Sequence, residues 1–240
     1  MNVLVTGGTR GLGLEITRQL LEAGYRVYVV GRRMSSELER LSRDHRSQVV
    51  FLEFDLANPT EIKQRLFEEN IGGYTPLHGL VNNAALAYDD LVSNLDLNRL
   101  HEMYQVNVYS PMEITKYVIR NMLLHKVAGS LVHVSSISAH TGYKGLAMYG
   151  STKGALEAFS KNVAREWGRL GIRSNCVVPG FMETDMSAGI QAEMKQRIAS
   201  RAALKQATDI ASVAASVVFL LSDASRSITG QNVIVDAGTV

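Results

Sequence analysis

Seven short apolar runs recur along the 240 residues, and helical patterns separate them. The runs lie near residues 2 to 6, 26 to 31, 49 to 54, 77 to 82, 130 to 135, 172 to 178 and 232 to 236. The helical patterns lie near residues 12 to 23, 35 to 44, 59 to 70, 96 to 125, 147 to 168 and 208 to 221. Nearly continuously apolar strands that alternate with helices are typical of a parallel sheet covered on both faces. We therefore predict an α/β protein with a single doubly wound, seven-stranded parallel sheet, which binds ligands at the carboxyl ends of its strands.

Length and charge restrict the possible classes of protein. No proline- or serine-rich linker and no internal repeat divides the 240 residues, so we expect one catalytic domain over residues 1–240. The net charge of +2 is mild, and no basic stripe interleaved with aromatic residues is present. The composition therefore does not predict a nucleic-acid partner.

The cysteine count and the start of the chain bear on location. The single cysteine, Cys176, lies in an apolar run, which predicts a buried thiol and fits a reducing compartment. The first strand follows Met1 almost directly, which leaves no room for a signal peptide, and no apolar stretch reaches the ~18 residues needed to span a bilayer. We expect a soluble cytoplasmic protein without a membrane partner. Because no HExxH motif, cysteine pair or dense acidic cluster occurs, we expect no metal site.

A glycine-rich turn joins the first strand pattern to the first helical pattern. The segment is Thr6-Gly7-Gly8-Thr9-Arg10-Gly11-Leu12-Gly13. A strand, a glycine turn and a helix start are the context of a dinucleotide phosphate site, because backbone N–H groups and the positive end of the helix face the pyrophosphate. The spacing of the glycines differs from the common GxGxxG pattern, so a tight turn without a ligand remains the alternative. The candidate cofactor residues of this turn are Gly7, Thr9, Arg10, Gly11, Leu12 and Gly13.

Two arginines at the end of the second strand pattern bear on the choice of cofactor. NAD-binding sites of this kind place an acidic residue there, which accepts a hydrogen bond from the ribose 2′-hydroxyl. In this chain Arg32 and Arg33 occupy the position, and no carboxylate follows before Glu37. Guanidinium groups match a 2′-phosphate in charge and geometry, and Arg10 could assist. These residues predict NADP(H), although two solvated arginines in a loop are the simpler alternative.

Tyr149 and Lys153 lie four residues apart at the start of a helical pattern, a spacing that puts both side chains on one face. A free tyrosine has a pKa of about 10 and is a poor acid–base catalyst at neutral pH. A cation about 4 Å away could lower that pKa by roughly three units. We therefore predict that Lys153 brings the pKa of Tyr149 near 7, unless the pair is an ordinary surface contact.

Together with these features, Asn107 and Ser136 make the chain resemble the short-chain dehydrogenase/reductase family over essentially its whole length. The further matching segments are Asp55-Leu56, Asn82-Asn83-Ala84-Ala85, Pro179-Gly180-Phe181-Met182-Glu183-Thr184-Asp185-Met186 and Ile228-Thr229-Gly230-Gln231. The last two segments look most like the 3-oxoacyl-acyl-carrier-protein reductases of that family. The resemblance implies a Rossmann-type fold.

The resemblance also implies roles for single residues. Ser136 precedes Tyr149 by the family's separation of 13 residues, which selects it over Ser135 and Ser138. Ser136 would steady the substrate oxygen, Tyr149 would donate the proton, and Lys153 would tune the phenol and hold the nicotinamide ribose. Asn107 would hold a water in a proton relay, or would simply be a buried amide with ordinary hydrogen bonds. The remaining cofactor contacts that the resemblance implies are Asp55, Leu56, Asn83, Tyr149, Lys153, Pro179, Gly180 and Thr184.

Some of these positions have structural alternatives. Asp55 would contact the adenine, or would cap a helix that begins near residues 58 and 59. Asn82 and Asn83 end the fourth strand pattern and suit a bracing role between strands. By the same resemblance the chain forms a homotetramer or homodimer through the helices at 96 to 125 and 147 to 168. Trp167 and Phe159 would then be interface anchors or core residues.

The leading functional hypothesis is an NADPH-dependent ketoreductase that acts on the 3-oxo group of an acyl thioester, and we expect an acyl carrier protein of a fatty-acid or polyketide pathway to carry that thioester. A substrate lid is expected at about residues 183–206, where Met186, Ile190, Met194, Ile198 and Leu204 alternate with Lys195, Arg197, Arg201 and Lys205. The same pattern would suit an ordinary amphipathic helix. The docking positions of carrier-protein reductases fall on Val127 and Leu170, with Lys126 and Arg169 one residue away. A dehydrogenase for a free alcohol or polyol, and a dinucleotide-sensing protein without turnover, remain the alternatives.

Overall fold

The computed structural model describes residues 1–184, 187, 189 and 191–240. It contains one parallel sheet of seven strands in the order β3-β2-β1-β4-β5-β6-β7. The strands are β1 (Asn2–Thr6), β2 (Arg26–Gly31), β3 (Val49–Glu53), β4 (Gly79–Asn82), β5 (Ser130–Val134), β6 (Arg173–Pro179) and β7 (Asn232–Val235). The predicted sheet is confirmed, in strand number and in strand direction.

Helices connect the strands. The α-helices are α1 (Gly11–Glu22), α2 (Ser36–Asp44), α3 (Leu97–Tyr104), α4 (Ser110–His125), α5 (Ala147–Trp167), α6 (Ala192–Ala199) and α7 (Ile210–Leu221). Two further segments have π-helical geometry, Lys63–Ile71 between β3 and β4, and Gln105–Tyr109 between α3 and α4. The helix predicted at 96 to 125 therefore consists of α3, a π-helical turn and α4. Single 3₁₀ turns lie at Pro59–Glu61, Val92–Asn94, Ile137–Ala139, Gly168–Leu170 and Asp223–Ser225.

The apolar strands have helices on both faces because successive side chains point to opposite sides of the sheet. In β1, Val3 and Val5 join a cluster with residues of α1 and α7, whereas Leu4 joins a cluster on the other face. That second cluster takes residues from the helix 63–71, α4 and α5. Phe159 and Trp167 pack against it with part of each side chain exposed, so the role of interface anchor stays a prediction.

The strand order fixes where a ligand can bind. The order along the sheet reverses at β1, since β2 pairs on one side of it and β4 on the other. In a doubly wound sheet the helix that follows β1 and the helix that follows β4 lie on opposite faces of the sheet. A crevice therefore opens between the carboxyl ends of β1 and β4. The glycine turn follows β1, Asn83 follows β4 and Ser136 follows β5, so the candidate residues meet at this edge.

Candidate active site

The glycine turn after β1, residues 7 to 13, forms a concave backbone segment that we call the phosphate cradle, and at Gly7 and Gly13 it has no room for a side chain. Gly7 and Gly11 have positive φ angles of 66° and 52°, a conformation that glycine adopts without strain. A Cβ on Gly13 would lie 2.1 Å from the carbonyl oxygen of Gly7. Arg10 precedes α1 in extended conformation, and no described side chain caps that helix. The first-turn N–H groups of α1 therefore face the turn, which fits the phosphates of a dinucleotide.

Asn83 holds this cradle in place. Its side-chain Nδ2 donates to the carbonyl oxygens of Thr6 and Gly7, at 3.0 and 3.2 Å. Its backbone N–H donates to Thr6 Oγ1, at 3.0 Å. Asn82 lies beneath it, and its Nδ2 joins His133 Nδ1 of β5 at 3.1 Å. These contacts match the bracing role considered for both asparagines, and a contact of Asn83 with the cofactor stays a prediction.

The end of β2 lies directly against the glycine turn. A Cβ on Gly31 would lie 2.8 Å from Thr9 Cγ2, and Ser35 Oγ donates to the carbonyl oxygen of Thr9 at 2.5 Å. Arg32 and Arg33, between these two points, are exposed. The structure thus places both arginines in a segment that lies against the glycine turn, and their contact with a 2′-phosphate stays a prediction.

Ser136, Tyr149 and Lys153 come together where β5 ends and α5 begins. The Ser136 hydroxyl lies close enough to the Tyr149 phenol to act on it by hydrogen bonding, which lowers the phenol pKa. Lys153 Nζ lies 5.6 Å from the centroid of the Tyr149 ring and donates to the carbonyl oxygen of Val134 at 2.9 Å. Ser136 Oγ also accepts from the backbone N–H of Ser138, at 3.1 Å. The predicted spacing therefore brings all three side chains into one cluster.

The predicted effect of Lys153 on the phenol is wrong for this structure. Burial raises the pKa of Tyr149, the nearby charge of Asp89 raises it further, and the hydrogen bond with Ser136 opposes the rise. Burial also lowers the pKa of Lys153 to about 8. The ammonium lies over the ring and bonds to a main-chain carbonyl, so it does not offset the desolvation of the phenol oxygen. At neutral pH the phenol therefore keeps its proton.

Asn107 lies in the π-helical turn between α3 and α4 and is fully buried. Its Oδ1 accepts from the backbone N–H of Leu86, and its Nδ2 donates to the carbonyl oxygen of Leu86, both at 2.8 Å. Nδ2 also donates to Thr152 Oγ1, at 3.0 Å. Both amide hydrogens are used, which favours the alternative of a structural amide that ties the loop after β4 to α5, next to Lys153. The water relay stays a prediction.

The other predicted cofactor residues lie along the same edge. The Asp55 side chain accepts from the backbone N–H of Ala57 at 3.0 Å, so it stabilises its own turn and does not cap the next helix. Leu56 is buried. Pro179 ends β6, and Gly180 leaves no room for a side chain, since a Cβ would lie 2.4 Å from Thr208 Oγ1. Thr184 is the side chain nearest to Gly11 of the glycine turn, since a Cβ on that glycine would lie 3.8 Å from Thr184 Cγ2.

The segment predicted as a lid contains helix α6, and an amphipathic helix was the alternative that the sequence pattern allowed there. Helix α6 begins at Ala192, and its Lys195 Nζ lies 3.7 Å from a carboxylate oxygen of Glu183. After α6, the backbone N–H groups of Ala203 and Leu204 donate to the carbonyl oxygens of Gly238 and Ala237. These bonds anchor the end of the segment to residues that follow β7. Asp185, Met186 and Ile190, which the sequence assigned to the motif or the lid, lie outside the described residues.

Sequence reasoning missed two residues of the cluster. Asp89, in the loop after β4, raises the pKa of Tyr149 through its charge. Thr152 holds Asn107 across 45 positions of sequence. Thr152 could have been found because it adjoins Lys153 on α5, but no pattern in the chain links Asp89 to Tyr149.

Two negative findings concern the part of the chain that the structure describes. Within it, no group of three or more His, Cys, Asp or Glu residues could hold a metal ion. Among the same residues, none of the helices combines the length and the apolar character that crossing a bilayer requires.

Comparisons with known proteins cover almost the whole chain. A family model described as enoyl-(acyl carrier protein) reductase matches residues 7–240. The carbonyl reductase [NADPH] 2 of Sus scrofa is 33% identical over 241 residues, which covers 99% of this chain and 96% of the pig protein. The 3-oxoacyl-[acyl-carrier-protein] reductase of Aquifex aeolicus is 32% identical over 238 residues, which covers 98% of this chain and 95% of that protein.

A solved structure gives the same picture of the fold. A gluconate 5-dehydrogenase from Burkholderia cenocepacia, in complex with NADP and tartrate, superposes with a TM-score of 0.87 at 25% identity. The match covers 99% of this chain and 94% of that chain. The names of these three proteins refer to different substrates, namely carbonyl compounds in general, a 3-oxoacyl group on a carrier protein, and gluconate.

Proposed function

The chain belongs to the short-chain dehydrogenase/reductase family, and we propose that it is a ketoreductase that uses NADPH to reduce the 3-oxo group of an acyl thioester. It is an oxidoreductase of this family, and NADP(H) is its cofactor. The observation that carries the proposal is the grouping of Ser136 and Tyr149, with Lys153 Nζ 5.6 Å from the centroid of the phenol ring, at the same sheet edge as the glycine turn. We propose that residues 1–240 form one catalytic domain, with a lid at 183–206.

The cradle and its neighbours would hold the cofactor. The N–H groups at the start of α1 would bind the pyrophosphate, and Arg32 and Arg33 the 2′-phosphate. Asp55 and Leu56 would border the adenine, and Thr184 would approach the nicotinamide end. When bound, NADPH supplies a hydride to the carbonyl carbon of the substrate.

The cluster at α5 would complete the reduction with a proton. Tyr149 keeps its phenolic proton at neutral pH because burial raises its pKa, so it is ready to donate to the carbonyl oxygen as negative charge develops there. The Ser136 hydroxyl would donate a second hydrogen bond to that oxygen. Lys153, with its positive charge, would bind the nicotinamide ribose and so position the cofactor beside Tyr149.

The exposed residues of the proposed lid support the proposal that the substrate is an acyl group delivered by an acidic carrier protein. Met194 of α6 and Leu204 are exposed by 49% and 66%, and they could receive an acyl chain. Arg197 and Arg201 lie four residues apart and are exposed, so they offer positive charge at the same segment. Complementary charge of this kind steers the encounter between two proteins.

A second pair of cations, near the positions expected for carrier docking, lies elsewhere. Lys126 follows α4 and Arg169 follows α5. The turns that contain them are in contact, since a Cβ on Gly171 would lie 2.8 Å from the Cβ of Ala128. These turns lie at the amino end of β5, whereas Ser136 follows its carboxyl end. Five residues of strand span about 16 Å. We therefore assign carrier recognition to the lid and not to this pair.

A free small ketone is the second candidate substrate. Val127 and Leu170 are apolar where carrier-protein reductases have docking cations, and the loop after β4 contains the acidic residues Asp89 and Asp90. A substrate without a carrier needs no such cations. The loss of these positive charges is the observation that favours this candidate.

Substrate comparison tests the proposal. We expect NADPH oxidation with an acetoacetyl thioester to exceed, by at least about tenfold in kcat/KM, oxidation with free ketones, sugars and polyol-derived ketones, because thioester contacts add transition-state binding. A higher kcat/KM for a free ketone would select the second candidate. Tight NADPH binding without oxidation by any ketone would indicate a dinucleotide sensor and contradict both.

Charge reversal at the lid tests the carrier. The Arg201→Glu variant is expected to raise KM for a carrier-bound substrate at least about threefold more than for a short thioester analogue, and added salt should reduce the difference. Arg226→Glu is the matched control, because Arg226 is exposed in a turn after α7, away from the lid. Equal effects on both substrates at low ionic strength would show that the lid does not bind a carrier.

A further inference from the structure

A buried carboxylate lies directly behind the proposed catalytic cluster. Glu157 follows Lys153 by one helical turn on α5 and is only 7% exposed. Its Oε1 accepts from Ser135 Oγ at 2.5 Å and contacts His140 Nε2 at 3.0 Å. Its Oε2 accepts from Asn232 Nδ2, at 2.6 Å. Two other segments of the chain, the turn after β5 and the start of β7, thus converge on one side chain.

The positions of these contacts relate Glu157 to Ser136. Ser135 immediately precedes Ser136, and the 3₁₀ turn Ile137–Ala139 comes directly after Ser136. His140 follows that turn. Glu157 Oε1 therefore binds both ends of the short segment that contains Ser136. Asn232 begins β7, and its contact fixes the carboxylate from the far side.

The energetic cost of this arrangement supports a functional role. A buried carboxylate is tolerated when several donors satisfy it, and removing the group leaves those donors unpaired. An apolar residue would fill this position on α5 without such a network. Since Ser136 lies at this turn and Tyr149 on α5, the distance between their hydroxyls depends on how the turn is attached to the helix.

We propose that Glu157 is a positioning residue: it fixes the turn at Ser135–His140 to helix α5 and strand β7, and so holds Ser136 in register with Tyr149. The catalytic consequence rests on the proposed reductase function, whereas the attachment of the turn does not. Glu157 itself touches neither of these two hydroxyls in the contacts described.

Three variants separate the contacts from the charge. Glu157→Gln can keep its partners, because a glutamine oxygen accepts from Asn232 while its NH₂ faces Ser135 and His140, both of which can accept. Glu157→Leu removes every contact, and Ser135→Ala removes one with little risk to folding. Glu166→Leu is the control, since Glu166 is an exposed residue of the same helix.

Two readouts are needed. Backbone hydrogen exchange in segment 136–141 should speed up at least about tenfold in Glu157→Leu, and less in Ser135→Ala, because the N–H groups of Ala139, His140 and Thr141 bond within this turn. In the reductase assay, kcat should fall at least about tenfold in Glu157→Leu with the NADPH Kd within about twofold, since small misplacements of catalytic groups are costly. Glu157→Gln should restore most of both, and Glu166→Leu should match the wild type.

The outcomes distinguish this proposal from the proposed function. Unchanged exchange in Glu157→Leu and Ser135→Ala would overturn the positioning role. Faster exchange with unaltered kcat would overturn its catalytic part. If Glu157→Leu does not fold, Ser135→Ala decides by the same two readouts. A wild-type protein that reduces no ketone would refute the proposed function, while the exchange comparison would still decide whether Glu157 attaches the turn.

Discussion

Replacing Tyr149 by phenylalanine is expected to lower kcat for ketone reduction at least about 100-fold, because the variant loses its general acid. The phenyl ring keeps the contacts that Tyr149 makes with the apolar cluster of Tyr88, Met103 and Met148, so the fold and the NADPH affinity should change little. Steady-state kinetics give kcat, and fluorescence titration gives the NADPH Kd.

The matched control for this substitution is Tyr25→Phe. Tyr25 is a buried tyrosine that precedes β2, at the opposite edge of the sheet. It should retain wild-type kcat. A comparable loss in both variants would mean that the effect comes from stability and not from the proton of Tyr149.

Reversing the charge of Arg32 is expected to have the second-largest effect. Arg32→Asp should weaken NADPH binding by about 2 kcal/mol or more, roughly 30-fold in Kd, because it replaces a charge-assisted hydrogen-bond donor by a carboxylate that repels phosphate. NADH binding should change little, since NADH lacks the 2′-phosphate. Calorimetric titration with both cofactors measures the difference.

Arg46→Asp serves as the control for cofactor choice. Arg46 is exposed before β3, at the amino edge of the sheet and away from the glycine turn. It makes the same change in net charge without touching the proposed phosphate site. Equal weakening of NADPH and NADH in Arg32→Asp would contradict the assignment of this position to the 2′-phosphate.

The fold could be predicted from the sequence because each strand carries its own signal. Val3, Leu4 and Val5 are apolar at successive positions, as a strand buried on both faces requires, and the same holds for β2 and β6. Helix bounds were accurate within about two residues where the apolar pattern is regular, as in α1 and α5. The π-helical turn around Asn107 was not predicted, because its sequence carries the same apolar spacing as an α-helix.

The members of the candidate site could be predicted, but not their electrostatics. Spacing along α5 predicted that Tyr149 and Lys153 share a face. The pKa of Tyr149 depends instead on burial and on Asp89, which comes from a loop about 60 positions earlier. Glu157 was missed for a similar reason, since its partners Ser135, His140 and Asn232 lie 22, 17 and 75 positions away from it along the chain.

The pH dependence of kcat for NADPH-driven reduction, in the wild type and in Tyr149→Phe, tests the central claim most directly. Because the phenol has a raised pKa, it stays protonated at and above neutral pH and the acid is not lost. Lys153, with a pKa lowered to about 8, loses its positive charge above that pH. The account predicts a level wild-type rate that falls above about pH 8, with Tyr149→Phe at least about 100-fold lower at every pH. Turnover of Tyr149→Phe at the wild-type rate would contradict it.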